Sequence, residues 1–240
     1  MLTSPPIAPK TLNALHKLGI FSRADLQAHG AVTVFLKLKA AGLTLTRSTL
    51  WQLTALAENR RPQDISLSEK EALLQALHRH PPVSLFPPEE EMERYMRLAL
   101  DQAAKSAVSG EVPVGAVIVR NGQVLAAEHN TCIGDCSISS HAEIRALSSA
   151  GRTLQNYRLE GCDLYVTLEP CAMCASAIIQ ARIGRLIYGA TEPKTGAAGS
   201  VLNLFGDIRL NQHTAVKSGI LAEECRAVLQ RFFQSKRQQK

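Results

Sequence analysis

His141, Glu143, Cys171 and Cys174 are the residues of this chain whose types and spacing carry chemistry. The two cysteines stand two residues apart within Pro170-Cys171-Ala172-Met173-Cys174. Proline suits the entry to a helix, so Cys171 is expected in the first turn and Cys174 one turn on, facing the same way. The positive end of the helix dipole favours thiolates there, the form in which zinc takes cysteine as a ligand. Taken alone, a C-x-x-C fits equally half of a structural zinc knuckle, a redox pair or two small buried residues. Thirty residues upstream, His141-Ala142-Glu143 opens a second helical pattern and offers a third ligand. A Cys₂His set leaves tetrahedral zinc one position for water, which is the catalytic arrangement. Glu143 lies two residues from the histidine, about 200° around an ideal helix, and so falls beside the metal face. A carboxylate there can take the proton from the attacking water and return it to substrate and leaving group, as metal-assisted hydrolysis requires.

Strand and helix patterns alternate around these residues. Glu89 to Ser109 reads as a helix with Met92, Met96, Ala99 and Ala103 on one stripe behind three glutamates. VPVGAVIV and VLAAEHN flank Asn121-Gly122, a two-residue hairpin signal. A helix over 140–150, a strand at LYVTL, a helix over 171–182, a strand at RLIYGA and a last helix from Leu221 to Gln234 follow. This alternation argues for an α/β sandwich around a mixed sheet. Gly-rich phosphate loops of the GxGxxG or Walker type are absent, which leaves nucleotide-cofactor chemistry without support.

The first third of the chain is different. PPVSLFPP places four prolines in residues 81–88, an extended and stiff connector between a domain at 1–80 and one at 89–240. Upstream, Leu12, Leu15 and Leu18, a capping-box start at Ser22 to Asp25, then Val34, Leu38 and a stop at Gly42 predict helices. Leu50, Leu53 and Leu56, and later Leu73, Leu74 and Leu77, add two more amphipathic turns, which together make a small all-α domain. Residues 1–88 carry ten Lys/Arg against five Asp/Glu, whereas 89–240 carry seventeen against sixteen, within an overall net charge of +6. Arg226, Arg231, Lys236, Arg237 and Lys240 form a second basic cluster with no acid after Glu224. Both ends suit a polyanion, and equally the solvated faces of helices. With 45% hydrophobic and 20% charged residues the composition is that of a globular protein. Its longest apolar stretch, near Val112 to Val119, is too short to span a bilayer. The start, MLTSPPIAPK, lacks a basic region followed by an apolar one, so the expected location is cytoplasmic. All six cysteines lie beyond residue 88, and in that compartment metal binding is a better use for a close pair than a disulfide.

H-x-E followed by P-C-x-x-C is the signature of zinc-dependent nucleobase deaminases. Residues 89–240 resemble the bacterial tRNA-specific adenosine deaminase family along almost their whole length, through EVPVGAVIV, HAEIRAL, QNYRL, LYVTLEPCAMC, RIGRLIYGA and KTGAAGS. A terminal helix with Phe232-Phe233 and a basic tail completes the likeness. The resemblance implies a three-layer α/β/α cytidine deaminase-like sandwich. It implies one Zn²⁺ per subunit on His141, Cys171 and Cys174, with Glu143 as proton shuttle. The implied reaction is hydrolysis of the wobble adenosine of a tRNA anticodon to inosine, by a homodimer that binds the anticodon loop with its bases splayed out. Asn130 would contact the adenine, and the backbone N–H of Ala142 would help to seat it. Such chemistry needs an unstacked base, since the amino-bearing carbon is unreachable inside a duplex.

One stretch departs from that pattern. Where relatives carry Asp-Pro-Thr-Ala, this chain has Ser137-Ile138-Ser139-Ser140, preceded by Cys132 and Cys136. The segment lies beside the substrate entrance in the family, so the resemblance does not carry over its contacts to the RNA backbone, while the ligands and the base-contacting residue are untouched. Either cysteine at the fourth zinc position would make the site structural and leave Glu143 without a role. Cys162 and Cys225 read as small buried hydrophobes. His129 and His213 are isolated and read as hydrogen-bonded or solvated side chains. Lys194 suits a phosphate or a plain turn, and Tyr157-Arg158 suits stacking on RNA or a strand-entry packing pair. In the first domain, Leu18-Gly19-Ile20, Ser22 and Ala24-Asp25-Leu26 resemble the C-terminal domain of TfoX-type competence regulators, whose first turn is like a helix-hairpin-helix. Such a turn presents backbone N–H groups to a phosphate, while a protein-docking or stabilising role stays equally open. Two rival functions also stand: a deaminase of a free base or nucleoside such as guanine or cytosine, and a zinc-stabilised nucleic-acid-binding protein without catalysis.

Overall fold

The computed structural model describes residues 1–80, 83, 85–207 and 209–238. Pro81, Pro82 and Ser84 of the proline-rich connector, and Lys240 of the basic tail, lie outside the described residues. The chain forms two compact units, Met1–Leu85 and Phe86–Lys240.

The first unit is helical: α1 (Pro9–Lys17), α2 (Arg23–His29), α3 (Ala31–Ala40), α4 (Arg47–Ala57), a 3₁₀ turn (Pro62–Asp64) and α5 (Leu67–Arg79). Leu15, Ile20, Leu26, Val34, Leu38 and Leu50 are closed to solvent at its centre. Gly42, at φ +85°, adopts the left-handed conformation that ends α3. Ser22 and Asp25 form the capping box that starts α2. That box has a consequence for the turn before it. The N–H groups of Leu18, Gly19 and Ile20 donate to the carbonyls of Ala14, His16 and Leu15, while those of Phe21 and Ser22 donate to Asp25 Oδ2 at 3.0 and 2.8 Å. The amides of residues 18–22 are thus engaged by carbonyls and by an internal carboxylate, so the turn itself does not present them to an anion.

The second unit runs α6 (Glu89–Val108), β1 (Gly115–Arg120), β2 (Gln123–His129), α7 (Ala142–Leu154), β3 (Asp163–Leu168), α8 (Ala172–Gln180), β4 (Arg185–Ala190), β5 (Ala215–Lys217) and α9 (Ala222–Gln238). The sheet order is β2-β1-β3-β4-β5, antiparallel between β1 and its two neighbours and parallel from β3 to β5. Asn121 (φ +51°) and Gly122 (φ +79°) turn the β1–β2 hairpin with the positive angles that its twist requires. Strand alternation then builds the layers. Ala116, Ile118, Leu164, Val166 and Leu186 pack on one face with Ala142, Ala146 and Ala150 of α7 and Ile178 of α8. Val117, Val119, Tyr165 and Ile187 pack on the other with Met92, Met96 and Ala99 of α6 and Cys225 of α9. The result is a three-layer α/β/α sandwich around a mixed sheet. At Gly115 a Cβ would overlap the Ala99 carbonyl oxygen, so only glycine lets β1 pass this close to α6. β5 has only three residues and no alternation that a sequence pattern could register. Among the described residues no helix is long and apolar enough to cross a membrane.

Candidate active site

The site forms where α7 and α8 begin, beside the end of β3. His141 is the N-cap residue of α7 and Cys171 that of α8, both with extended backbone, and Cys174 lies in the first turn of α8. The spacing predicts Cys171 inside that turn. Instead its backbone is held extended by a bridge to Gly196, and the helix starts one residue later. Both thiols still lie at the positive end of the helix.

The ligand atoms of His141, Cys171 and Cys174 all lie within 4.8 Å of one another, and among the described residues no other His, Cys, Asp or Glu joins the cluster. His141 Nδ1 is 3.8 Å from Cys171 Sγ and 3.4 Å from Cys174 Sγ. A tetrahedral ion with bonds of about 2.3 Å to sulfur and about 2.0 Å to nitrogen has S···N edges of about 3.5 Å. Donor set and spacing therefore fit zinc. Cys171 is drawn down to about 4 by hydrogen bonding to Cys174 and then to His141. Its partner Cys174 is pushed up by that same bond and by burial. The bond to Cys171 raises His141 against the effect of its own burial.

Glu143, 4% exposed, lines the same cavity of about 310 Å³ and lies against Cys174. Burial raises its carboxyl above the usual carboxylate range. Because His141 is an extended residue ahead of the helix, the 200° separation of an ideal helix does not describe the pair. Asn130 is 7% exposed and also lines the cavity. Its Oδ1 accepts from the Ala142 N–H at 2.8 Å and its Nδ2 donates to the Val112 carbonyl at 3.1 Å. Asn130 and Ala142 thus bond to each other, and the Ala142 donor, expected to seat the base, is engaged by Asn130.

Three further residues that the motifs did not single out shape the site. Glu169, 2% exposed, accepts hydrogen bonds from the N–H groups of Glu192, Ala198 and Ser200 and from the Ser200 hydroxyl. Burial works to raise its carboxyl, yet these bonds, led by that from the Ser200 side chain, outweigh it and hold it below the usual range. A Cβ on Gly196 would stand 2.5 Å from that carboxylate, which explains a glycine in KTGAAGS. Glu111, 3% exposed, accepts from the Gly134 N–H at 2.8 Å. Arg145 of α7 donates to Thr131 Oγ1 at 2.7 Å, Asp135 Oδ2 at 3.3 Å and Glu128 Oε2 at 3.0 Å. Glu111 and Arg145 pin the 131–135 segment, which brings Cys132 and Ile133 to the cavity wall. Glu169 and Arg145 stand within LYVTLEPCAMC and HAEIRAL, but their partners are distant in sequence and no local pattern assigns them a role.

The remaining sequence candidates lie outside the ligand cluster. Cys132 is half-buried and Cys136 exposed, and neither belongs to the ligand cluster. Cys162 and Cys225 are buried, with Cys225 raised to about 12 by burial. His129, read as hydrogen-bonded or solvated, instead has its Nδ1 buried with no hydrogen-bond partner among the described residues, and burial lowers its pKa. Lys194 is exposed in a turn, and Arg158 stacks over the exposed Tyr157 ring at 5.4 Å.

Comparison with known proteins places both units. Residues 89–190 match the cytidine and deoxycytidylate deaminase zinc-binding region, so zinc is the metal of this domain, and residues 4–77 match the TfoX C-terminal domain. A solved structure from a study of A-to-I editing by tRNA:A34 deaminases at the wobble position of transfer RNA is 43% identical, with a TM-score of 0.55, covering 57% of this chain and 99% of that one. The guanine deaminase of Nitrosomonas europaea is 25% identical with a TM-score of 0.51, covering 66% of this chain and 91% of its own. The tRNA-specific adenosine deaminase of Haemophilus influenzae is 48% identical over 149 residues, which are 62% of this chain and 86% of that protein. At that identity and coverage, the chain belongs to the tRNA-specific adenosine deaminase family.

Proposed function

We propose that the chain deaminates the wobble adenosine of a tRNA anticodon to inosine, adding water and releasing ammonia. The observation that carries this reading is one cavity lined by His141 and Cys171 of the ligand cluster together with Glu143 and Asn130, with the buried Cys174 completing the cluster behind its wall. His141 Nδ1 and the two thiolates would hold zinc, which when bound acidifies water and so supplies a nucleophile at neutral pH. The Glu143 carboxylate takes one proton from the attacking water and passes it to the ring nitrogen, then takes the proton of the newly formed hydroxyl and gives it to the leaving amine, which departs as ammonia. Its burial leaves the carboxylate little contact with bulk solvent. After its two bonds Asn130 keeps one amide proton and one acceptor lone pair, which an adenine edge can use. The cavity accommodates a base taken out of its stack.

The anticodon loop is the part of tRNA that presents such a base, and the cytoplasm is where that substrate resides. A homodimer is supported by the half-buried Ile144, Leu147 and Ala177 and the 71%-exposed Tyr157, which border a second cavity between α7 and α8 that another copy would cover. The test is to incubate the zinc-loaded protein with an arginine tRNA transcript bearing an A-C-G anticodon and to sequence for inosine, with Glu143→Ala alongside. Inosine formed only by the intact protein is the expected result. Ammonia from free guanine without inosine in the tRNA would replace this reading with that of a free-base deaminase, the activity named for the N. europaea neighbour.

A further inference from the structure

The first unit contains five acids, and four of them are engaged. Asp25 caps α2, Glu58 and Glu69 pair with Arg60, and Asp64 pairs with Arg61. Among the described residues most of the unit's ten cations have no acidic partner, and they are not evenly spread. Lys39 at the end of α3, Arg47 at the start of α4 and Arg79 at the end of α5 converge, with His78, on a single cavity of about 640 Å³. No acid lines it. Lys39, Arg47 and Arg79 are exposed and make no hydrogen bond or ion pair among the described residues. Its wall is aliphatic, formed by Leu45, Leu74 and Leu77 over the buried Phe35.

A cleft lined by one sign of charge over low-dielectric walls focuses field lines and concentrates counter-ions, polyanions above all. Unpaired cations need no ion pair broken before they meet a phosphate. The α1–α2 turn has its amides occupied by Asp25 and carbonyls, so this cleft is the better phosphate-contacting surface of the unit. Phe35 is 4% exposed and cannot stack on a base, which leaves backbone contact and not sequence reading.

We propose that the Lys39–Arg47–Arg79 cleft is an RNA-backbone contact surface that binds tRNA outside the anticodon loop. This rests on tRNA as the substrate of the second unit. Because both units share one chain, the second contact is intramolecular and raises the affinity for whole tRNA without altering the chemistry.

The test uses the full chain and a triple variant, Lys39→Glu with Arg47→Glu and Arg79→Glu. A milder triple, with glutamine at the same three exposed positions, guards against misfolding. Binding of whole tRNA transcript and of an isolated anticodon stem–loop is measured by anisotropy across a salt series. Each phosphate contact contributes about 0.9 to the slope of log K against log salt, so losing three lowers the slope by about 2–3. The expected result is that drop, with at least tenfold weaker tRNA binding at moderate salt and unchanged affinity and deamination for the stem–loop. Unchanged tRNA affinity and slope would overturn the proposal. So would a cleft that binds a synthetic acidic Glu/Leu amphipathic helix while the charge reversal leaves tRNA binding intact, since the surface would then be a protein dock. Failure of the wild-type protein to deaminate either RNA, with the slope difference retained, would count against the catalytic reading and leave this one standing.

Discussion

Asn130 Oδ1 accepts the backbone N–H of Ala142 at 2.8 Å, joining the residue after β2 to the first turn of α7. Ala142 stands between His141 and Glu143, so one hydrogen bond sets the position of a side chain at the cavity wall relative to both a zinc ligand and the proton carrier.

Removing that bond has a double effect. Asn130→Ala leaves the Ala142 N–H unpaired, at about 1–3 kcal/mol, whereas the Val112 carbonyl keeps the Val114 N–H and the Ser106 hydroxyl as donors. The expected outcome is a lowered melting temperature together with a kcat/KM reduced at least tenfold at temperatures where the variant remains folded. An unchanged kcat/KM in the folded variant would show that Asn130 acts only in stability.

Metal content follows the three-residue cluster. His141→Ala, Cys171→Ala and Cys174→Ala are expected to lose zinc on dialysis, as read by elemental analysis, whereas Cys132→Ser and Cys136→Ser keep one zinc per chain. A chelator abolishes deamination and added zinc restores it. Loss of zinc from Cys132→Ser would reinstate a fourth protein ligand and a structural site.

Glu169 anchors the 192–200 segment through four hydrogen bonds. Glu169→Ala is expected to cost about 2–4 kcal/mol, since several donors lose a charged acceptor. It also speeds hydrogen exchange at the amides of Ala198 and Ser200, and raises KM more than it lowers kcat, because Glu192 and Thr195 line the cavity while none of the zinc ligands belongs to the 192–200 segment. Ser200→Ala removes one of the four bonds and produces a smaller change in the same direction.

The acid limb of stability in the first unit is set in part by Glu69. Hydrogen bonding from Arg60, then from Ser66, draws its carboxyl from 4.5 down to about 2. A carboxylate whose folded value lies below its unfolded one stabilises fully above the unfolded value, and that contribution fades as pH falls from about 4.5 toward 2. Trp51, the sole tryptophan, lies in α4 and reports on this unit alone. Its fluorescence-detected denaturation midpoint is expected to fall across that window, and to fall less steeply in Glu69→Gln. Equal steepness in both proteins would remove Glu69 from the account.

Much of the site was legible in the chain itself. His141, Glu143, Cys171 and Cys174 stand in short motifs at the starts of helices, and the layers follow from periods of two and of about 3.6 residues, both of which are local properties. The same locality explains the Ser22–Asp25 box and the Asn121-Gly122 turn, where residue type alone sets the backbone. Tertiary structure decided what joins residues far apart. The Asn130–Ala142 bond, the Arg145 contacts to Glu128 and Asp135, and the Glu169 bonds to Ala198 and Ser200 span 10 to 31 positions. The start of α8 was displaced by one residue because Cys171 bridges to Gly196. The cation cleft gathers Lys39, Arg47 and Arg79 from three helices. Periodicity states which face of an element is apolar; which polar groups meet across that face depends on how the elements pack, and a hydrogen bond a few ångströms long forms only once they have.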